Sequence, residues 1–67
     1  MADRTYKLIE LVGTSRDSYE SAINTALAKA SESLKDLSWF EVTEMRGGLQ
    51  EGAVEFQIKL KVAFKVH

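Results

Sequence analysis

The stretch Val54-Glu55-Phe56-Gln57-Ile58-Lys59-Leu60-Lys61-Val62-Ala63-Phe64-Lys65-Val66 decides the fold. Val54, Phe56, Ile58, Leu60, Val62, Phe64 and Val66 recur at every second position without a break. Between them stand Glu55, Gln57, Lys59, Lys61, Ala63 and Lys65. Successive side chains of a strand point to opposite faces, so the pattern predicts a long amphipathic strand with its apolar face on a helix.

The chain before it supplies the partners. Glu51-Gly52 reads as a hairpin turn, preceded by a second strand from Trp39 to about Gln50. Alternation puts Trp39, Glu41, Thr43 and Met45 on one face of that strand and Phe40, Val42, Glu44 and Arg46 on the other. Gly47-Gly48 reads as a rival turn, or as a bulge or bend. Tyr19, Ala22, Ile23, Ala26, Leu27, Ala30, Leu34 and Leu37 recur at steps of three and four. They predict a helix running to about Lys35, with Asp17 as its cap, Glu20 three residues on, and Ser15 as a rival cap. Its alanines would let it sit close to a curved sheet. Tyr6 to Val12 reads as a first strand ending at Gly13, with Tyr6, Leu8 and Val12 on one face and Ile9 and Leu11 on the other. The reading is an α+β fold of order β-α-β-β, with a three-stranded antiparallel sheet strongly twisted around one helix.

Composition narrows the function. The 67 residues make one domain, 1–67. Nine basic and ten acidic side chains leave a net charge of −1, which argues against general binding to nucleic acid or a membrane surface. There is no cysteine, hence no disulfide or thiolate metal site, and the one histidine is His67, a terminal residue expected to be free. No histidine held by a carboxylate, no clustered carboxylates and no phosphate-binding glycine loop is apparent, so an enzyme is not expected. No apolar run approaches the roughly 20 residues of a bilayer span, and the start MADRTYKLIE lacks a signal-peptide core, so the expected location is cytoplasmic. A domain this short commonly needs a staple, and with disulfides and metals lacking their ligands, self-association remains. Apolar groups on both faces of the first strand point the same way.

The binding candidates are few. Trp39 is the single tryptophan, and reads either as a core anchor or as a stacking platform for a flat aromatic ligand. Gln57 reads as a solvated strand residue or as an amide that reads a heterocycle edge with N–H beside C=O. A two-residue turn at Glu51-Gly52 pairs Gln50 with Ala53, which puts Arg46 opposite Gln57 and Trp39 opposite Phe64. In that flat hairpin Trp39 and Gln57 lie on opposite faces. They meet one ligand only if a bulge at Gly47-Gly48 shifts the parity or if more than one chain builds the site. Lys59, Lys61 and Lys65, with Lys7 nearby, form a basic row that reads as a solvated face, as edge-strand lysines, or as a contact for a phosphate.

Taken in order, Tyr6-Lys7-Leu8-Ile9-Glu10-Leu11-Val12-Gly13-Thr14-Ser15, the alanine-rich helix, Leu37-Ser38-Trp39-Phe40-Glu41-Val42, Arg46-Gly47, Phe56-Gln57 and Leu60-Lys61-Val62-Ala63-Phe64 resemble a bacterial dodecin over nearly the whole chain. The resemblance implies a homododecamer, a hollow shell that binds flavins in stacked pairs between tryptophans of neighbouring subunits. It implies that Trp39 stacks on the flavin, that Gln57 bonds its pyrimidine edge and that Arg46 lies near the pocket. It makes Arg4, Tyr6, Lys7 and Lys65 candidates for phosphate contacts. The implied ligand is FMN, with riboflavin or FAD as alternatives and coenzyme A as a further one. The implied role is flavin storage and photoprotection by quenching. The alternative is a self-assembling structural or interaction module without a physiological flavin.

Overall fold

A computed structural model describes residues 3–67 and shows the order β1 (Thr5–Ser15), α1 (Tyr19–Ser33), β2 (Leu37–Gln50) and β3 (Ala53–Val66). The sheet is antiparallel with spatial order β1-β3-β2, so the alternating strand is the central one. Its inward row of Ile58, Leu60 and Val62 is fully buried. Ile9 and Leu11 from β1, Tyr19, Ile23 and Leu27 from α1 and Leu37 from the start of β2 pack on it. Leu37 thus belongs to the core, though as a strand residue and not as the last position of the helical stripe.

The hairpin turn lies where the sequence puts it. Glu51 and Gly52 both have positive φ, 52° and 80°, the twist that a two-residue hairpin requires. The helix starts one residue later than expected. Its cap is Ser18, whose hydroxyl accepts from the Ser21 amide at 3.0 Å. Asp17 does not cap, and Ser15 accepts from the Asp17 amide in a local turn instead. The helix ends at Ser33, two residues short of Lys35, because Leu34 is already extended and Asp36 takes a left-handed turn at φ 60°.

The first strand does not stop at Gly13 but continues to Ser15. Gly13 is the seat of the helix. A Cβ placed there would lie 2.1 Å from the Ala22 carbonyl oxygen and 2.9 Å from the Ala26 Cβ. Ala22, Ala26 and Ala30, spaced by four, are the buried face of α1. Small side chains on the helix and none on the strand bring the two backbones together, while Tyr19 meets Phe56 edge-on at 4.9 Å.

The helix rests on β1 and β3 and leaves the long β2–β3 arm uncovered. Leu49 is 83% exposed and Met45 59%, and Phe40 and Val54 are also open to solvent. On the other face of the sheet Leu8 and Val12 are exposed, as the two-faced apolar pattern of β1 foretold. Among the described residues no helix is long and apolar enough to cross a membrane.

Gly13→Ala should therefore destabilise more than an ordinary surface change. The new methyl meets backbone that has no room to give, so the loss should reach at least the roughly 1–3 kcal/mol of an overpacked core. Denaturant unfolding checks this, and an unchanged midpoint would mean that α1 is not seated on β1 at that point.

Candidate functional site

The geometry of the candidate residues turns on one extra residue in β2. Gln50 pairs with Ala53 and Arg46 with Gln57, as a two-residue turn requires. The pairing then slips between Val42 and Glu44, leaving Thr43 unopposed, and slips again around Ser38. Gly47 and Gly48, where a bulge was expected, pair regularly with Phe56 and Glu55. The bulge at Thr43 has its own anchor, since the Thr43 hydroxyl donates to the Lys59 carbonyl at 3.2 Å.

This slip corrects the faces. Trp39 stands opposite Ala63 and not Phe64. Trp39, Glu41, Glu44 and Arg46 of β2 now share one face with Gln57, Lys59, Lys61 and Ala63 of β3. Phe40, Val42 and Met45 join the inward row. The indole is thus not a core anchor: it sits on the polar face and is 47% exposed. Ala63, between Trp39 on one side and Leu8 on the other, is fully buried, and Tyr6 lies beside the indole with ring centroids 6.4 Å apart. The site end of the sheet is an aromatic pair over a small residue.

Gln57 lies further along the same face, in a polar chain. Arg46 Nε donates to Gln57 Oε1 at 2.7 Å, and Gln57 Nε2 donates to Glu55 Oε1 at 2.9 Å. Arg46 Nη1 also reaches Glu44 at 3.4 Å. Glu55, Gly48 and Glu44 were not among the candidate binding residues, Gly48 being read only as part of a turn or bend. Counting back from the hairpin turn would have found Gly48 and Glu55, since they face each other two positions from Arg46 and Gln57, on the same face of the sheet.

The remaining candidates separate. Lys65 is paired with Tyr6 and shares the Trp39 face. Lys7 pairs with Phe64 and so points to the other face, away from the basic row. Arg4 precedes β1 and is exposed. Lys59 and Lys61 are not edge-strand lysines, because β3 is central. Lys61 stands between Glu10 and Glu41, and Lys59 lies 3.9 Å from Glu10 and opposite Glu44, so both sit in a cross-strand charge ladder. His67 is not free: its ring nitrogen meets the Asp36 carboxylate, while Asp36 O accepts from the Lys65 amide. Among the described residues no three His, Cys, Asp or Glu side chains converge as metal ligands.

The donor set suits a planar heterocycle. A half-exposed indole offers a flat face, and the Gln57 amide, with one N–H and one lone pair engaged, keeps one of each for a ligand. Yet Trp39 and Gln57 are six residues apart in register along β3, a span of roughly 20 Å at the rise of a strand. One chain cannot bring both onto one ring system, so a shared ligand needs two copies of the chain.

Comparison with known proteins agrees with this architecture. The family model for dodecin matches residues 5–67. The dodecin of Thermus thermophilus is 48% identical over 64 residues, covering 94% of this chain and 93% of that protein. The calcium dodecin of Mycobacterium tuberculosis is 36% identical over 62 residues, covering 91% and 87%. The solved structure of dodecin from Streptomyces coelicolor superposes with a TM-score of 0.91 at 41% identity, covering 100% of this chain and 97% of that one.

Ala63 tests the aromatic end. Ala63→Leu places three more carbons beneath the indole, and the emission of the single tryptophan should shift, with a stability loss of about 1–3 kcal/mol. Unchanged emission would mean that Trp39 does not rest over Ala63.

Proposed function

The chain belongs to the dodecin family, and on that premise we propose that it is a non-enzymatic flavin-binding protein that stores flavin in a homododecamer. The observation that carries the reading is Trp39. A large aromatic ring left half exposed on the polar face of a sheet, beside Tyr6 and on the face of Gln57, is poorly placed for a core and well placed for a flat ligand. The uncovered apolar rows of β1 and of the β2–β3 arm favour assembly, and the separation of Trp39 from Gln57 favours pockets that draw on more than one copy.

In this reading Trp39 stacks on the isoalloxazine and Gln57 bonds its pyrimidine edge through the remaining N–H and lone pair. Arg46 holds Gln57 from behind. Tyr6 and Lys65 stand on the Trp39 face and suit a ribityl phosphate, which favours FMN over riboflavin. FAD would have to fit its second nucleotide, and coenzyme A would use the same basic and aromatic groups. Arg4 can reach such a phosphate only from the segment before β1, and Lys7 lies on the other face of the sheet. A flavin paired face to face between tryptophans has no open face for a substrate, which suits storage more than catalysis. An indole in van der Waals contact is also an electron donor to an excited flavin, so quenching and photoprotection follow from the same stack.

Fluorescence titration with FMN and, separately, riboflavin tests the reading. Quenching should saturate near one flavin per chain, with FMN the tighter. Trp39→Ala should remove most of the affinity and leave the oligomer intact by light scattering. Gln57→Ala should weaken binding by roughly 1–3 kcal/mol, the value of a polar contact in a closed site. Full flavin emission at excess wild-type protein would leave a structural assembly as the better account.

A further inference from the structure

We propose that Glu55 is a positioning residue: together with Arg46 it fixes the direction in which the Gln57 amide points, and so the order in which Gln57 offers its donor and acceptor to a ligand. The proposal rests on the flavin reading for its consequence, though not for its geometry.

The direction follows from the chemistry of the two neighbours. A guanidinium has only donors, so the atom of Gln57 that meets Arg46 Nε at 2.7 Å must be the oxygen. An ionised carboxylate has only acceptors, so the atom that meets Glu55 Oε1 at 2.9 Å must be the nitrogen. A reversed amide would face N–H to N–H at one end and oxygen to oxygen at the other, losing both bonds. Most glutamines of a strand turn freely between the two orientations. This one is clamped from both sides by groups that accept only one of them.

Gly48 makes the clamp possible. It lies opposite Glu55 in the ladder, and a Cβ there would stand 2.7 Å from Gln57 Nε2. The amide therefore lies across the bare backbone of Gly48. Glu44 holds the far side of the Arg46 guanidinium at 3.4 Å, which completes a chain Glu44–Arg46–Gln57–Glu55 along one face.

What remains free on Gln57 is one lone pair on the Arg46 side and one N–H on the Glu55 side. The matching ligand edge has its N–H toward Arg46 and its carbonyl toward Glu55. A lactam edge in that order is accepted, and the same edge in the opposite order meets donor against donor. A ring already oriented by stacking on an indole cannot turn over to suit, so the direction of the amide becomes a criterion of selection.

The test uses the full chain and the fact that its only glutamines are Gln50 and Gln57. Glutamine-selective ¹⁵N labelling gives two side-chain amide signals, with Gln50, exposed beside the turn, as the internal control. In ligand-free protein the two Gln57 amide protons should be widely split, one of them shifted by the carboxylate, and should exchange slowly. In Glu55→Ala, and independently in Gly48→Ala, the splitting should collapse toward that of Gln50. Gly48→Ala should do so with little loss of stability, because its new methyl meets the flexible end of a side chain and not backbone. Flavin affinity should fall about three- to tenfold in Glu55→Ala, the range of one hydrogen bond. The double variant Glu55→Ala/Gln57→Ala should bind no more weakly than Gln57→Ala alone. Identical Gln57 signals in wild type and Glu55→Ala would overturn the proposal, and so would a Glu55→Ala loss of equal size in both backgrounds. A clamped Gln57 amide in a wild-type protein that quenches no flavin would sink the flavin reading while upholding the positioning role.

Discussion

A mismatch of lengths governs this molecule. The fifteen-residue helix α1 extends about 22 Å, whereas the fourteen-residue strands β2 and β3 extend about 46 Å. The helix can cover only the part of the sheet where β1 pairs with β3. There the core is complete: Ile58, Leu60 and Val62 are sealed beneath the alanines of α1. Beyond it the same alternating row goes on to Val54, and β2 adds Met45 and Leu49, with nothing of the same chain above them. A chain that carries its apolar row past the end of its own helix leaves that row uncovered by itself, which favours assembly.

The strand alternation and the hairpin turn were legible because each depends on neighbours in sequence. The period of two from Val54 to Val66 survives as the inward row, buried at Ile58, Leu60 and Val62, and Glu51-Gly52 is the turn because two successive positive φ values are needed there. Arg46 opposite Gln57 followed from counting back from that turn. The count failed one strand-half further on. Thr43 and Ser38 carry no mark of a bulge, while Gly47-Gly48 carry the usual one and pair regularly. A glycine in a strand is equally a sign of close approach, and both apparent breaks are of that kind. Gly48 makes room for the Gln57 amide, and Gly13 makes room for the backbone of α1. Which of the two meanings applies depends on a partner remote in sequence, so local reading could not choose. The cap falls one residue later than expected, on Ser18, whose hydroxyl accepts from the Ser21 amide, while the Asp17 amide donates to Ser15.

The bulge at Thr43 connects fold to site. Without it an indole at position 39 would fall on the inward row, among Phe64 and Val62, and would be core. With it the indole shares the outward face with every polar group of the hairpin that has a specific partner. The outward face then divides along its length. Its middle is a charge ladder, Glu10–Lys61–Glu41 beside Lys59–Glu44, in which every lysine stands across from carboxylates and none is spare. One end is aromatic, with Trp39 and Tyr6 over Ala63. The other end is amide and guanidinium, with Gln57 and Arg46 over Gly48. The two groups that suit a planar heterocycle are held apart by a self-neutralised band. They can meet only when the aromatic end of one copy approaches the amide end of another.

That arrangement also explains why the polar end is so thoroughly hydrogen-bonded within one chain. A pocket assembled from two copies, as proposed above, could not rely on the partner to orient its side chains before they meet. The amide of Gln57 is oriented beforehand by groups on its own hairpin, and the glycine beneath it removes the one backbone position that would obstruct it. Preorganisation of this kind lowers the entropy lost on binding. It is available here because both clamp residues lie two register positions from each other on a regular ladder, in the stretch between the turn and the bulge where the pairing does not slip.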